Sequence, residues 1–181
     1  MADPLIDRPD LRVARIAPTA QLLLHGEPGR VAELSAMAGL ALGEKMLRST
    51  ASGDWHALHR SPDEWLLIGP PSAATDVLKR FDANTVPAFS LVDISERSLG
   101  FEIEGGGAVD LLNVGCPLDL SPSAFPTGSC TRTLFGKVAI MLWRMPGSEV
   151  FRMHYGRSFD NYVTAYLITA AQDVRLPAAL R

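Results

Sequence analysis

The chain has 181 residues and a formal charge of −3, and its 17 basic residues are scattered without forming the basic stripe that follows a nucleic-acid backbone. Its hydrophobic content of 47% suits a globular protein, and no apolar run approaches the roughly 18 to 20 residues that a membrane-spanning helix needs. We therefore predict a soluble protein with neither a nucleic-acid nor a membrane partner.

The first half of the sequence predicts two strands and two helices. The run QLLLHG at 21–26 has strand length, and RVAELSAMAGLAL at 30–42 repeats its apolar residues about once per helical turn. A second strand, EWLLIG at 64–69, is stopped by PPS. Ser72 then suits the N-cap of a helix whose apolar residues share one face, namely Ala74, Val77, Leu78 and Phe81.

The second half opens on a strand with one polar face, in which Leu99, Phe101 and Ile103 alternate with Gly100, Glu102 and Glu104. The GGG triplet at 105–107 allows a tight turn. Residues 108–113 then predict a short helix that ends at Gly115 and Pro117, because glycine suits a left-handed C-terminal position and proline cannot continue the helix.

Two more strands and a long helix follow. The stretch GKVAIMLWR at 136–144 is apolar on both strand faces, which predicts a central strand or one covered on its second face. EVFRMHY at 149–155 alternates as a strand with one apolar face. From Ser158, SFDNYVTAYLITAAQDV predicts an amphipathic helix with Asp160 in its first turn, where a carboxylate suits the helix dipole.

The segments 63–81 and 149–167 share one order of elements, strand, short loop, Ser at the cap and amphipathic helix, about 86 residues apart. We interpret this as a pseudo-repeat and predict an α+β fold of two related α/β subdomains. The predicted division is an N-terminal extension at 1–20, a first subdomain at 21–85, a second at 86–175 and a C-terminal tail at 176–181.

With these segments placed, the chain resembles the gamma subunit family of heterotetrameric sarcosine oxidase. The resemblance is carried by SPDEWLLIGP at 61–70, LVDISERSLGFEIEGGGAVDLLNVGCPLDL at 91–120, FPTGSCTRTLFGKVAIMLWR at 125–144 and GRSFDNYV at 156–163. The family commonly has an aromatic residue before RSF, where this chain has Gly156, so no role is transferred to that position. The stretch DISERSLGFEIEGGGAVDLL is also similar to the aminomethyltransferase folate-binding fold.

The resemblance implies a place in an alpha-beta-gamma-delta heterotetramer that demethylates sarcosine to glycine, with hydrogen peroxide and formaldehyde or 5,10-methylenetetrahydrofolate as products. It implies FAD, FMN and NAD on the alpha and beta subunits, zinc on delta and tetrahydrofolate handling on alpha, with no cofactor in gamma. The alpha subunit is the implied direct partner. On this basis the chain is a structural subunit of an oxidoreductase complex in sarcosine catabolism and one-carbon metabolism.

The two cysteines, Cys116 and Cys130, could form at most one disulfide, and the first residues, MADPLIDRPD, lack the basic and apolar regions of a secretory signal. We expect a cytoplasmic protein. Cys116 follows a helix C-terminus, where the helix dipole disfavours a thiolate, so we interpret it as a buried packing residue. Cys130 lies in the polar stretch TGSCTRT and is predicted to be half exposed.

No pattern of catalytic or metal-binding residues emerges. His56 and His59 would share one side only in a helix, whereas HALH is typical of a strand, so no metal site is predicted. Asp93 and Ser95 are interpreted as turn or cap groups because no G-x-S-x-G elbow surrounds them.

A folate pterin would need a buried carboxylate, and three were considered: Asp110, Glu102 and Glu104. Glu102 and Glu104 fall on the predicted polar face, and nothing in the sequence marks a pocket. We therefore assign no catalytic, cofactor-binding or metal-binding residue to this chain.

A docking surface is the remaining kind of site. Aromatic and arginine side chains dominate the energetic centres of interfaces, and the predicted interface residues are Phe135, Trp143, Arg144, Arg157 and Phe159. Two alternatives stay open. One is a free-standing tetrahydrofolate-binding or one-carbon transfer protein of the same fold, and the other is self-association of the isolated chain through an uncovered face.

Overall fold

The computed structural model describes residues 4–82 and 89–174. Within them the strands, in chain order, are β1 (Ile6–Arg8), β2 (Leu11–Arg15), β3 (Ala20–Gly26), β4 (Ser49–Ser52), β5 (Trp55–Ser61), β6 (Glu64–Gly69), β7 (Phe89–Asp93), β8 (Ser98–Glu104), β9 (Cys130–Phe135), β10 (Val138–Arg144) and β11 (Phe151–Gly156). The α-helices are α1 (Val31–Ala38), α2 (Ala74–Asp82), α3 (Ala108–Asn113) and α4 (Asp160–Asp173). The chain divides into a first unit, Pro18–Glu96, and a second unit, Met1–Ala17 with Arg97–Arg181.

The first unit contains a five-stranded sheet in the order β4-β5-β6-β3-β7, with antiparallel neighbours throughout. Its core lies between one face of this sheet and the two helices α1 and α2. Leu22, Leu24, Trp65 and Leu67 come from the sheet, and Val31, Leu34, Val77 and Phe81 from the helices. The predicted helix at 30–42 ends earlier, at Ala38, because Gly39 adopts a left-handed backbone with φ 64°.

The second unit contains a six-stranded antiparallel sheet in the order β1-β2-β8-β11-β10-β9. Its core lies between one sheet face, which supplies Phe101, Ile103, Ile140, Leu142 and Met153, and the helices α3 and α4. Strand β10 lies between β9 and β11, so the predicted interior position is confirmed. Helix α3 has the predicted bounds, 108–113.

The division of the chain differs from the predicted subdomains 21–85 and 86–175. Part of the predicted extension at 1–20 belongs to the second unit, because β1 pairs with β2 and β2 pairs with β8 of that unit's sheet. Strand β7, expected after the boundary, pairs with β3 and belongs to the first unit. The reason is that each unit completes one edge of its sheet with strands from beyond its predicted limits, β7 in the first unit and β1 with β2 in the second. The predicted tail at 176–181 lies outside the described residues.

Both units follow the same connectivity, although their serine caps were wrongly predicted. In each, one strand leads to a helix, then to a three-stranded meander and a second helix: β3, α1, β4-β5-β6 and α2, against β8, α3, β9-β10-β11 and α4. Ser72 and Ser158 are not N-caps, since each lies inside a one-turn 3-10 helix that precedes α2 or α4. No helix within 4–82 or 89–174 combines the length and apolar character required to cross a membrane.

Candidate functional site

Cys116 is a packing residue, as predicted. After α3, the backbone amides of Gly115 and Cys116 both donate to the carbonyl of Leu112, at 3.1 and 2.8 Å, which turns the chain inward. The Cys116 side chain is buried in the second unit's core, with its Sγ 4.0 Å from Thr133 Oγ1. A thiol held in an apolar core at a helix exit has neither the exposure nor the base that a nucleophile needs.

Cys130 and the histidines also lie in structural positions. The prediction that Cys130 is half exposed is wrong, because this first residue of β9 is fully buried opposite Trp143. His59 lies in β5, as the strand interpretation of HALH required, and stacks on Trp65 with ring centroids 4.6 Å apart. Across 4–82 and 89–174, no group of three His, Cys, Asp or Glu residues could hold a metal ion.

Asp93 and Ser95 form a turn, which confirms their interpretation. The Asp93 carboxylate accepts hydrogen bonds from the Ser95 amide at 2.9 Å and the Ser95 hydroxyl at 2.6 Å. The same hydroxyl accepts from the amide of Gln21 at 2.9 Å, so it joins the start of β3 to the end of β7. The Ser95 hydroxyl therefore organises the backbone of the turn and, within the described part of the chain, is not hydrogen-bonded to a histidine base.

Two of the three carboxylates considered for a pterin, Glu102 and Glu104, form ion pairs with arginines of neighbouring strands. Arg152 contacts Glu102 at 2.6 Å, and Arg12 contacts Glu104 at 2.9 Å, across β11, β8 and β2. Asp110 is exposed in the first turn of α3. The turn before that helix depends on Gly105, whose φ of 101° and close approach to the Asp10 carbonyl leave no room for a side chain.

A polar network at the start of α4 was not predicted. Arg15 binds Asp160 through both carboxylate oxygens, at 2.7 and 3.0 Å, and the Tyr155 hydroxyl donates to the same carboxylate at 2.7 Å. The hydrogen bonds from Arg15 and Tyr155 lower the pKa of Asp160 below its ordinary value, and burial together with the Asp160 contact raises the pKa of Tyr155. The network ties β2, β11 and α4 together.

His154 was interpreted as an ordinary partly buried or surface residue. It lies on the face of β11 opposite the unit's core, and it is buried. Burial, with a smaller contribution from the charge of Arg152, lowers its pKa to about 4, so the imidazole is neutral near pH 7. Only burial distinguishes it from a surface histidine, and burial on that face depends on tertiary structure.

The predicted interface residues separate into two groups. Phe135 lies in the second unit's core, Trp143 is fully buried, and buried Arg144 donates to the Phe125 carbonyl at 2.9 Å and pairs with Glu149. These three side chains are buried, so they do not form the exposed surface that was predicted for them. Arg157 and Phe159, in the one-turn helix before α4, are exposed. Of the five predicted interface residues, these two are the exposed ones.

A family model and two known proteins match this chain over most of its length. Residues 26–173 match the model described as the sarcosine oxidase, gamma subunit family. The sarcosine oxidase subunit gamma of Corynebacterium sp. (strain U-96) is 26% identical over 161 residues, which cover 87% of this chain and 78% of that protein. The subunit gamma of an Arthrobacter sp. is 26% identical over 167 residues, covering 90% of this chain and 80% of that protein.

Two solved structures have folds similar to that of this chain. A chain of the heterotetrameric sarcosine oxidase from Corynebacterium sp. U-96, in complex with pyrrole 2-carboxylate, has a TM-score of 0.81 at 26% identity and covers 92% of this chain and 86% of that one. The glycine cleavage system aminomethyltransferase T from Bartonella henselae has a TM-score of 0.66 at 11% identity, covering 89% of this chain and 46% of that one. The second likeness shows a shared fold alone.

Proposed function

The chain belongs to the sarcosine oxidase gamma subunit family, and we propose that it is a structural subunit of a heterotetrameric sarcosine oxidase, without an active site of its own. The observation that carries this proposal is the match of residues 26–173 to the family model. The likeness to a chain of a heterotetrameric sarcosine oxidase, over 92% of this chain, supports it.

In the proposed complex the direct partner is the alpha subunit. The assembled enzyme demethylates sarcosine to glycine, producing hydrogen peroxide and formaldehyde or 5,10-methylenetetrahydrofolate. FAD, FMN and NAD belong to the alpha and beta subunits, zinc to delta, and tetrahydrofolate handling to alpha. We place the complex in the cytoplasm. These assignments rest on the family resemblance of the sequence.

The residues whose side chains could take part in catalysis are engaged in contacts within the fold, which supports a structural role. Cys116 packs in a core, Asp160 is bound by Arg15 and Tyr155, and Arg144 binds the Phe125 carbonyl. Each of these groups satisfies a partner within its own unit. Their arrangement stabilises the fold and leaves the exterior of the chain for contact with other subunits.

Co-expression tests this proposal. The chain is produced with the alpha, beta and delta subunits, the alpha subunit carries an affinity tag, and the captured complex is resolved into its subunits. We expect this chain in the complex at one copy per alpha subunit. A captured enzyme that lacks the chain, at matched expression, would overturn the proposal.

A free-standing tetrahydrofolate-binding or one-carbon transfer protein is the alternative, and the fold shared with aminomethyltransferase T motivates it. Titration calorimetry of the isolated chain with tetrahydrofolate separates the two functions. The structural-subunit proposal expects no heat of binding. Saturable binding would favour the alternative.

We also propose that the two units are a pseudo-repeat of one ancestral α/β unit. Their common connectivity supports this relation, as does the correspondence of the one-turn helices Pro71–Ala73 and Arg157–Phe159 at an offset of about 86 residues. Residue-by-residue superposition of the units in an experimental structure tests it. Equivalent Cα atoms that fail to superpose in the order of the chain would contradict it.

A further inference from the structure

Helices α2 and α4 hold equivalent positions in their units, since each follows the last strand of a meander and a one-turn 3-10 helix. At the same offset of about 86 residues, their inward positions carry equivalent apolar side chains, all of them buried: Val77 and Phe81 in α2, and Val163 and Leu167 in α4. Each helix therefore buries the same face within its own unit.

The outward positions of the two helices differ in chemistry. Where α2 exposes three charged side chains, α4 carries uncharged ones, the pairs being Asp76 and Tyr162, Lys79 and Ala165, and Arg80 and Tyr166. Every exposed residue of α4 from 161 to 172 is uncharged. A helix face that meets water usually carries charges, whereas loss of charge and gain of aromatic residues are typical of the centre of an interface.

The uncharged face of α4 also exposes large apolar side chains. Phe159, Tyr162 and Ile168 are 47%, 39% and 43% exposed. Val114, at the exit of α3, is 45% exposed and adjoins this face because the Tyr166 hydroxyl donates to the Val114 carbonyl at 3.3 Å. We define the α4 surface as Val114, Phe159, Tyr162, Ala165 and Ile168.

Contacts beneath the α4 surface hold it in place. The first residue of the helix, Asp160, is bound by Arg15 and Tyr155, and Arg15 also donates to Thr164 at 3.2 Å, one turn along. The Tyr166 ring packs edge-on against the core residue Phe135, with centroids 4.9 Å apart. A surface that is already ordered loses little entropy when a partner binds, which favours affinity.

We infer that the α4 surface is the face through which this chain docks onto the alpha subunit of the sarcosine oxidase complex. The inference rests on the proposed function, because that function supplies a folded protein partner. Opposite Tyr162 and Ile168, the partner must present an apolar, uncharged patch, since a charge buried there would lack a counter-charge.

Charge complementarity defines the rim of the partner's patch. Two basic residues border the aromatic end of the α4 surface: Arg157 precedes Phe159 in its one-turn helix, and the Lys137 amide donates to the Tyr162 hydroxyl at 3.4 Å. Both residues are exposed. Carboxylates at the matching edge of the partner would complement them and orient the docking.

Placing the charged residues of α2 at the equivalent positions of α4 tests the inference. In the co-expressed heterotetramer, Ala165→Lys places on α4 the residue that α2 has at the equivalent position, and Tyr162→Asp does the same one turn earlier. The matched control, Lys79→Glu, reverses a charge on the exposed face of α2. Circular dichroism and thermal unfolding of each isolated variant show that it is folded.

We expect Ala165→Lys and Tyr162→Asp each to lower capture of the chain by tagged alpha subunit roughly a hundredfold, as an unpaired buried charge does, with Lys79→Glu captured like the wild type. Folded α4 variants that are captured normally would overturn the inference while the proposed function stands. Equal loss with Lys79→Glu would also overturn it. Loss of wild-type capture, in contrast, contradicts the proposed function itself.

Light scattering of the isolated chain tests the alternative that a second copy of this chain, rather than another subunit, covers the α4 surface. A homodimer that Ala165→Lys dissociates, in a chain whose capture into the heterotetramer is unchanged, would assign the α4 surface to a second copy. That result would overturn docking onto another subunit.

Discussion

The β9–β10 hairpin and the one-turn helix before α4 carry similar side chains in opposite surroundings. Phe135 and Arg144 of the hairpin are buried, whereas Phe159 and Arg157 before α4 are exposed. Both regions contain the aromatic and arginine residues that are enriched at interfaces. The difference shows that residue type alone does not identify a docking surface, because sheet pairing determines which of these side chains meets solvent.

The largest effect should come from Phe135→Ala. The ring fills the second unit's core and packs against Tyr166, so its removal should lower the free energy of unfolding by about 3–5 kcal/mol in urea denaturation. The neighbouring exposed residue provides a control, since Leu134→Ala should change that free energy by less than about 0.5 kcal/mol. Equal losses for the two variants would remove the distinction between core and surface on β9.

Arg144→Ala should have the next largest effect. The substitution removes the donor to the Phe125 carbonyl and the packing of the guanidinium over Phe151, 5.3 Å from the ring centroid. A buried carbonyl without its donor, together with the lost packing, should lower the free energy of unfolding by about 2–3 kcal/mol. Glu149→Gln keeps an acceptor beside the buried guanidinium and should cost less than Arg144→Ala. An Arg144→Ala variant as stable as the wild type would contradict the buried role of this arginine.

Asp160→Asn should have a smaller, pH-dependent effect. Because hydrogen bonds from Arg15 and Tyr155 lower the pKa of Asp160, its ionised form stabilises the folded state above the pKa of the unfolded chain. That stabilisation is lost as the pH falls through the lowered pKa. Measured by urea denaturation, the variant should be less stable by about 0.5–1 kcal/mol near neutral pH, and the difference should shrink below about pH 4. A difference that grows on acidification would show the opposite sign of coupling.

Phe159→Ala should have the smallest effect on stability. The chemical change is the same as in Phe135→Ala, yet about half of this side chain is already exposed to solvent. The free energy of unfolding of the isolated chain, measured by thermal unfolding, should therefore change by less than about 0.5 kcal/mol. Its effect should instead appear in capture by the alpha subunit, which should weaken. A large stability loss with normal capture would place Phe159 with the hairpin residues.

Much of the local structure could be predicted because its signals are local. The helix at 108–113 was predicted from the glycines and the proline around it, and the interior position of β10 from its two apolar faces. The burial of Cys116 followed from the helix exit. The same ten residues, LLNVGCPLDL at 111–120, carry part of the family resemblance and contain the helix exit at which this cysteine is buried.

The errors involve contacts between distant parts of the chain. Cys130 is buried because β9 places it opposite Trp143, and Arg15 reaches Asp160 because β2 pairs with β8, in a sheet that also holds β9, β10 and β11 from beyond residue 97. Nothing near Arg15 in the sequence indicates a partner 145 residues away. Strand pairing of this range has no local sequence signal, so the domain limits were also displaced.

By itself, the sequence determined the family and the order of most strands and helices, because motifs, periodicity and turn residues act over a few positions. The tertiary structure decided which unit receives β2 and β7, and which of five aromatic and arginine residues face solvent. It also showed that α4 lacks the exposed charges of α2 at equivalent positions. The physical reason is that burial is a property of both surfaces in a contact, and only the folded chain brings the second surface to the first.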